Sequence, residues 1–360
     1  MKQEILSEIM IYQGFKKAIS IIALTFYLVS LGIAQERNAI FNEKQILNKY
    51  GFSLEKAKSQ YFIISKTEDP KPVLIFIRGS DFAPLFVNGE SIMFPFDIKK
   101  YQKDFNIVVL PKPGIPVFSD STQSKFINET YTQGYYLDNS AQVPAQFVKN
   151  NNLQYYVDRY SEVIDYLRKQ PYVQKDKIYL IGHSQGANVA LSTALKNKRI
   201  SKIALLATHV GDRFTEATRK IRNSEQQMRI SSQEAQVQID SLYKSYLDLY
   251  QNRDNNDKLF DSNTYFSYAS FTFPNISTKL MALKTRALLV YGTNSVQDID
   301  CDEFRYELIK KQKSNIIVKP YIGLDHNFFE IKEDKATGKM EKIYNWDKVF
   351  RDTVNWLKQN

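Results

Sequence analysis

Residues 175–196, KDKIYLIGHSQGANVALSTALK, contain an apolar run, a short glycine-containing turn and the start of a helical pattern. The run IYLI predicts a buried β-strand, and the apolar positions that follow recur at the spacing of an α-helix. Ser184 stands at the junction, two residues after Gly182 and two residues before Gly186. Such a sharp strand-to-helix turn needs small residues at both flanking positions so that the backbones can pass. The stretch therefore predicts an α/β fold with a candidate nucleophilic serine where a strand ends.

The rest of the chain repeats this alternation of strand and helix. Amphipathic helices are predicted for YYVDRYSEVIDYLRK and for WDKVFRDTVNWLKQ, whose apolar residues share one helical face. Further apolar runs predict buried strands within VLIFI, NIVVL, KIALLA, RALLVYG and NIIVKPYI. Strands that alternate with helices indicate βαβ units. The predicted fold class is α/β, with a mainly parallel central sheet, helices on both faces and an inserted helical cap.

The predicted cap occupies approximately residues 212–284. This segment is too long for a simple connection between two strands. It contains the strongly helical EAQVQIDSLYKSYLDLY and then the aromatic-rich TYFSYASFTFP. We expect it to cover the carboxyl edge of the sheet, where open α/β sheets bind ligands. Five aromatic residues are expected either to line an apolar acyl or aryl pocket or to form core: Tyr265, Phe266, Tyr268, Phe271 and Phe273.

Composition excludes several classes of function. The chain has 360 residues, of which 43% are hydrophobic and 24% charged, as in an ordinary globular protein. The net charge is +10, but the lysines are scattered rather than gathered into a stripe, so no nucleic-acid partner is expected. The single cysteine excludes an intrachain disulfide and a cysteine-rich zinc site. Neither a metal nor an organic cofactor is expected.

The beginning of the chain resembles an export signal. Two lysines precede an apolar run over residues 18–34, and small residues stand at the end of that run. This layout predicts a signal peptide over residues 1–34, cleaved after Ala34, and hence export to the periplasm or the medium. Met10 is an alternative start. Residues 35–360 would then form one α/β domain, with membrane contact only if the signal segment stays uncleaved.

A serine hydroxyl needs a neighbouring base to act as a nucleophile, and the chain has three histidines. His183 lies within the turn beside Ser184 and is expected to point elsewhere. His209 ends a strand and is expected to be packed or hydrogen-bonded at the rim of the site. His326 follows the last strand, in YIGLDHNFF, and suits the chain order serine, acid, histidine. His326 is the predicted base.

With these residues in place, the sequence resembles the α/β-hydrolase superfamily over most of residues 35–360. The similarity lies in FIRGSDFAPLF, LPKPGIP, KIYLIGHSQGANVA, LLVYGTNS and YIGLDHNFF. These blocks are similar to those of exported bacterial hydrolases of the prolyl-oligopeptidase-like and acyl-transferase-like, or BAAT-like, type. The turn around Ser184 and the DHNFF block are the specific parts of the resemblance.

The third member of a triad orients the imidazole and should lie in the loop after RALLVYG. The resemblance implies an aspartate three residues after the glycine that ends this strand, but that position holds Ser295. Asp298 is the nearest acid after it and is the predicted third member. Asp300 and Asp302 in the same loop are alternatives, as is Asp212 at the end of the preceding strand. These acids could also form no more than a solvated turn.

Stabilising an oxyanion requires two backbone N–H groups aimed at one point. Gln185, the residue after the nucleophile, is expected to supply one. Ser80 or Asp81, in the RGSD turn where Gly79 allows a close approach, is expected to supply the other. Asp81 stands where the resemblance implies a glycine, and it could instead hold a cationic group of the substrate.

The leading hypothesis is a serine hydrolase that cleaves an ester, thioester or amide through an acyl-enzyme, with carboxylic esters favoured. Its partner would be a small-molecule or peptide acyl substrate. Ser295 motivates a second hypothesis, a catalytically silent hydrolase fold that binds a ligand or partner. A third hypothesis is an aminopeptidase-like enzyme, which would need Asp81 to anchor the amine of a peptide.

Overall fold

A computed structural model of the chain describes residues 43–91, 94–119, 124–128, 133–137, 144–261, 263–333 and 339–359. The predicted signal peptide, its cleavage after Ala34 and the alternative start at Met10 lie outside the described residues. The chain divides into two units, residues 1–51 and residues 52–360. The described part of the first unit holds helix α1 over residues 43–50. No described helix combines the length and apolar character needed to cross a lipid bilayer.

The second unit contains the remaining elements. Its strands are β1 (Ser53–Lys56), β2 (Tyr61–Ser65), β3 (Lys71–Ile77), β4 (Phe86–Val87), β5 (Glu90–Ser91), β6 (Asn106–Val109), β7 (Phe118–Ser119), β8 (Ser124–Asn128), β9 (Gln133–Leu137), β10 (Val173–His183), β11 (Lys202–Leu206), β12 (Leu259–Phe260), β13 (Asn263–Thr264), β14 (Arg286–Gly292), β15 (Ile316–Tyr321), β16 (Phe329–Glu333) and β17 (Met340–Tyr344). Its helices are α2 (Lys99–Gln102), α3 (Ala145–Asn150), α4 (Leu153–Leu167), α5 (Gln185–Lys196), α6 (Arg213–Gln226), α7 (Ser232–Gln251), α8 (Tyr265–Thr272), α9 (Ile276–Ala282), α10 (Asp300–Lys310) and α11 (Trp346–Lys358).

Eight strands form one sheet in the order β1-β2-β6-β3-β10-β11-β14-β15. The β1–β2 and β2–β6 pairs are antiparallel, and all the following pairs are parallel. The predicted mainly parallel sheet is confirmed. Strand β10 lies inside this sheet between β3 and β11, with Gly182 in register with both Ile77 and Leu205. The carboxyl end of β10, where Ser184 follows, is therefore flanked by neighbouring strand ends.

Apolar side chains cover both faces of the sheet. Residues 73–77 of β3 are at most 2% exposed, which explains their continuous apolar run. Successive side chains of a strand point to opposite faces. Ile75 and Ile77 accordingly join the core cluster formed with α4 and α5, whereas the ring of Phe76 lies 6.3 Å from that of Phe350 on α11. The predicted helices on both faces are confirmed.

Helix α11 follows its predicted pattern. One face of the helix is buried, as the spacing of its apolar residues requires. The predicted members of that face are all buried, namely Trp346, Val349, Phe350, Val354 and Leu357.

The segment between β11 and β14 holds helices α6, α7 and α8, the β12–β13 hairpin and α9. Aromatic rings join these helices to one another. The ring of Phe214 lies 5.0 Å from that of Tyr246 and 6.3 Å from that of Tyr268. Phe273 lies 5.3 Å from Tyr246. Tyr268 and Phe273 thus pack within this segment, whereas Ile276 of α9 joins the core cluster beside α5.

Candidate active site

Ser184 occupies a strained backbone conformation at the turn from β10 to α5. Its φ of 53° and ψ of −121° lie where non-glycine residues are rare. A Cβ atom on Gly182 would lie 2.2 Å from the carbonyl oxygen of Gly186. A Cβ atom on Gly186 would lie 2.2 Å from the carbonyl oxygen of Ile77 on the neighbouring strand. Both glycines are therefore steric requirements of this turn.

Three of the predicted site residues form one chain of contacts. The Nε2 atom of His326 lies 3.1 Å from Ser184 Oγ. Its Nδ1 atom lies 3.2 and 3.3 Å from the two carboxylate oxygens of Asp298. The Asp298 side chain is fully buried, whereas that of His326 is 20% exposed. In this arrangement the imidazole could take the hydroxyl proton while the carboxylate holds its other nitrogen.

The loop after β14 carries Asp298 to His326. Ser295, where the resemblance implies an acid, is buried, and its carbonyl accepts a hydrogen bond from Asp298 N at 3.1 Å. This tight turn places the acid, Asp298, three residues after the position that the resemblance implies. The end of β14 also touches the histidine loop, since a Cβ atom on Gly292 would lie 2.2 Å from the carbonyl oxygen of Leu324.

Asp300 does not reach His326. Its carboxylate accepts hydrogen bonds from the backbone N–H groups of Val210 and Gly211, at 3.2 and 2.9 Å. It also pairs with Arg219 of α6 at 2.9 Å. Asp300 therefore connects the loop after β14 to the residues that follow β11 and to helix α6.

The other two alternative acids also have partners elsewhere. Asp302 accepts a hydrogen bond from the hydroxyl of Tyr291. Asp212 caps the N-terminus of α6 and accepts from Phe214 N and Thr215 N, both at 2.9 Å.

The two remaining histidines are not members of this chain of contacts, although the ring of His183 lies 5.7 Å from that of His326. The ring of His183 packs against Trp346 at 4.9 Å, and its Nε2 atom is buried with no hydrogen-bond partner among the described residues. Burial, and then the nearby His326, lower the pKa of His183 to about 3, so the ring is neutral at physiological pH. His209 Nδ1 lies 3.9 Å from a carboxylate oxygen of Glu216.

The RGSD turn borders the serine. A Cβ atom on Gly79 would lie 3.5 Å from the Cβ atom of Ser184, so the backbone passes close to the candidate nucleophile. Ser80 follows and is exposed. Gln185 begins helix α5, and the positive end of the helix dipole therefore lies at the site.

Asp81 is turned towards its own loop. Its carboxylate lies 3.2 Å from Nη1 of buried Arg78 and accepts a hydrogen bond from Ala83 N at 3.2 Å. Arg78 in turn donates to the carbonyl oxygen of Ala83 at 2.6 Å. The carboxylate is thus already paired with a cation. Within the described ranges, no three His, Cys, Asp or Glu residues are grouped so as to hold a metal ion.

Lys112 is a residue of the site that the sequence analysis did not single out. It follows β6 in the LPKPGIP block, is 7% exposed, and donates from Nζ to Gln185 Oε1 at 3.1 Å. Its Nζ atom also lies 5.0 Å from the centre of the Tyr156 ring. The signal available in the sequence was a lysine between two prolines, directly after a buried strand.

Residues 153–312 match the family described as BAAT / Acyl-CoA thioester hydrolase C terminal. The match includes Ser184 and Asp298, and His326 lies beyond its end. No curated protein sequence matches the chain.

Several solved structures are similar to this chain. A Bacteroides ovatus protein described as a dipeptidyl aminopeptidase IV is 12% identical, with a TM-score of 0.51 over 86% of this chain and 35% of that chain. This chain therefore spans about a third of that protein. DcsB, solved in complex with its substrate analogue, is 13% identical, with a TM-score of 0.47 over 86% of this chain and 99% of that chain. The α/β hydrolase GrgF from Penicillium sp. sh18 is 14% identical, with a TM-score of 0.47 over 85% and 97%.

The Bacteroides ovatus structure supports the fold, and the family match adds the similarity in sequence around the serine. The mainly parallel sheet and the strained strand-to-helix turn at Ser184 are features that this fold requires. The chain therefore has the α/β-hydrolase fold, and residues 153–312 are similar in sequence to the BAAT / Acyl-CoA thioester hydrolase C-terminal family.

Proposed function

We propose that the chain is a serine hydrolase that cleaves carboxylic esters or thioesters through an acyl-enzyme. The observation that carries this proposal is the set of contacts from Ser184 Oγ to His326 Nε2 and from His326 Nδ1 to Asp298. A hydroxyl, an imidazole and a buried carboxylate in this order are the parts that nucleophilic acyl transfer needs.

In the first half of the proposed reaction, Ser184 Oγ attacks the carbonyl carbon and His326 Nε2 takes the hydroxyl proton. The oxyanion accepts from Gln185 N–H and from an N–H of the turn at Ser80 or Asp81. His326 then passes the proton to the departing alkoxide or thiolate. Asp298 stays ionised throughout and holds Nδ1–H.

In the second half, water attacks the acyl carbon and gives its proton to His326. The tetrahedral intermediate collapses, and His326 returns the proton to Ser184. The products are a carboxylic acid and the alcohol or thiol, so no redox partner or cofactor takes part in this scheme.

The family match supports esters and thioesters over peptides. The matched family is described as one of acyl-CoA thioester hydrolases, and its match covers the serine and the acid. An aminopeptidase would need a free carboxylate for the substrate amine, whereas Asp81 is paired with Arg78. A silent fold would not require a buried carboxylate beside His326, and the Asp298 distances weigh against it.

We also propose that the insertion, residues 212–284, caps the site and that residues 1–34 direct export. The Arg219–Asp300 pair supports the proposed cap, because it joins α6 to the loop after β14 that carries Asp298. N-terminal sequencing of protein recovered outside the cytoplasm tests the second point, with cleavage expected after Ala34.

The proposed activity is tested with matched esters, thioesters and anilides of increasing acyl length. We expect measurable kcat/KM on esters or thioesters, and a loss of at least about 1,000-fold in Ser184→Ala and His326→Ala. Ser161→Ala is the matched control, because the buried Ser161 Oγ has no hydrogen-bond partner among the described residues. Hydrolysis that survives in Ser184→Ala would show the proposal to be wrong.

A further inference from the structure

A buried lysine lies directly beside the candidate nucleophile, and the proposed reaction gives it no role. Lys112 Nζ contacts the side chain of Gln185, the residue that follows Ser184. Ser184 and Gln185 are both partly exposed, so the ammonium group lies next to residues that a bound substrate would contact.

The surroundings of Lys112 contain more positive than negative charge. Arg78 and Arg159 are 7% and 5% exposed, and both act on Lys112 electrostatically. The Asp81 carboxylate acts on Lys112 in the opposite direction and is itself paired with Arg78. Burial, followed by the two arginines, lowers the pKa of Lys112 to about 7, while Asp81 raises it. Removing charges from water without full compensation is unfavourable, so such groups concentrate at functional sites.

The ammonium group also has spare hydrogen-bonding capacity. It carries three donors. In the described part of the chain, it has one acceptor, Gln185 Oε1, and the face of the Tyr156 ring. A carboxylate on a bound substrate would supply the missing acceptor and the missing negative charge at once.

We propose that Lys112 binds a carboxylate carried by the substrate, so that the site prefers esters or thioesters with an acid group near the scissile carbonyl. This inference rests on the proposed function for its reaction but not for its binding. The neutral lysine that forms as the pH rises through about 7 would attract a carboxylate less strongly. The preference for acid-bearing substrates therefore falls with rising pH. The charged groups around Lys112 that share this environment are Arg78, Arg159 and Asp81.

The kinetic test compares substrates that differ in one carboxylate. Monoethyl glutarate is paired with ethyl pentanoate for an acid on the acyl side, and 4-acetoxybutanoate with butyl acetate for an acid on the alcohol side. In at least one pair, wild-type protein at pH 6 is expected to favour the acid. Lys112→Met is expected to lower that preference by about 10- to 100-fold, because kcat/KM falls far more on the acid ester than on the neutral one.

Lys279→Met is the matched control. Lys279 is also buried and donates to a single side-chain oxygen, that of Asn188 at 2.9 Å, but it lies on α9. Lys279→Met should leave the preference for the acid-bearing ester unchanged. Equal losses on charged and neutral esters in Lys112→Met would mean that Lys112 only supports the fold or Gln185, and would overturn the proposal.

A binding measurement separates this inference from the proposed function. Calorimetry with monoethyl glutarate on Ser184→Ala should show binding, weakened at least about tenfold in Ser184→Ala/Lys112→Met. Such binding would uphold the inference even if no ester were hydrolysed. Hydrolysis of neutral esters with no Lys112-dependent binding would leave the proposed function standing and would overturn the inference.

Discussion

Both carboxylate oxygens of Asp298 lie within 3.3 Å of His326 Nδ1, and no part of the Asp298 side chain is exposed to solvent. A buried carboxylate in this position fixes the imidazole tautomer that leaves Nε2 free to accept the proton of Ser184. The pair thus links the loop after β14 to the loop after β15.

We expect Asp298→Asn to keep the fold and to lower kcat by about 1,000- to 10,000-fold, because an amide can hold the imidazole in the wrong tautomer. Ester hydrolysis and circular dichroism measure the two effects. Asp302→Asn is the control, since Asp302 accepts from Tyr291 and does not contact His326. A near-normal kcat in Asp298→Asn would rule out this carboxylate as the third member.

Gly186→Ala should destabilise the protein by at least about 3 kcal/mol, because its Cβ atom would lie 2.2 Å from Ile77 O and the strand cannot move away cheaply. Gly79→Ala should remain folded, since the nearest atom to its Cβ, His183 Nδ1, would lie 3.4 Å away. Thermal unfolding compares the two variants. Equal stability would show that the turn is less tightly packed than these distances require.

Asp300→Asn should lower the free energy of unfolding by about 2–4 kcal/mol. The change removes the charge that pairs with Arg219 and weakens the hydrogen bonds from Val210 and Gly211. Urea denaturation measures the loss. Asp254→Asn, at an 89% exposed side chain, should change stability by less than about 0.5 kcal/mol. Equal stabilities in the two variants would contradict the structural role of Asp300.

The neutral His183 makes the fold sensitive to acid. Its pKa is about 3 in the folded protein and 6.5 in its ordinary environment, so the unfolded chain binds more protons between these values. The contribution of neutral His183 to the free energy of unfolding is complete above pH 6.5. It falls by about 1.4 kcal/mol for each pH unit as the pH drops towards 3.

His183→Phe keeps a ring against Trp346 and removes this titration. Relative to wild type, we expect it to lose about 2–3 kcal/mol less stability between pH 7.5 and pH 4.5. Urea midpoints at the two pH values measure the difference. A variant as acid-sensitive as the wild type would place the responsible group elsewhere.

Local patterns in the sequence were sufficient to predict the sheet and the serine turn. The alternation of apolar runs and helices gives the layers, and glycines on either side of Ser184 have a steric meaning that requires no tertiary information. The position of the acid could not be predicted from spacing alone. The turn from Ser295 to Asp298 is set by backbone hydrogen bonds within a loop, and several acids follow one another there.

Two other features could not be read from the chain. The role of Asp300 depends on backbone groups of Val210 and Gly211, which are distant in sequence. The burial of Lys112 depends on where the loop after β6 meets α4 and α5, so its position between two prolines did not indicate it.

The most direct test of the central claim is labelling of the purified protein by a fluorophosphonate, followed by intact-mass and peptide mass spectrometry. One adduct per chain is expected, on Ser184 within the tryptic peptide of residues 178–196, with Ser192 of that peptide unmodified. Labelling should disappear in Ser184→Ala and in His326→Ala. A folded wild-type protein that takes no label, or a Ser184→Ala variant that labels equally, would show that Ser184 is not an activated nucleophile.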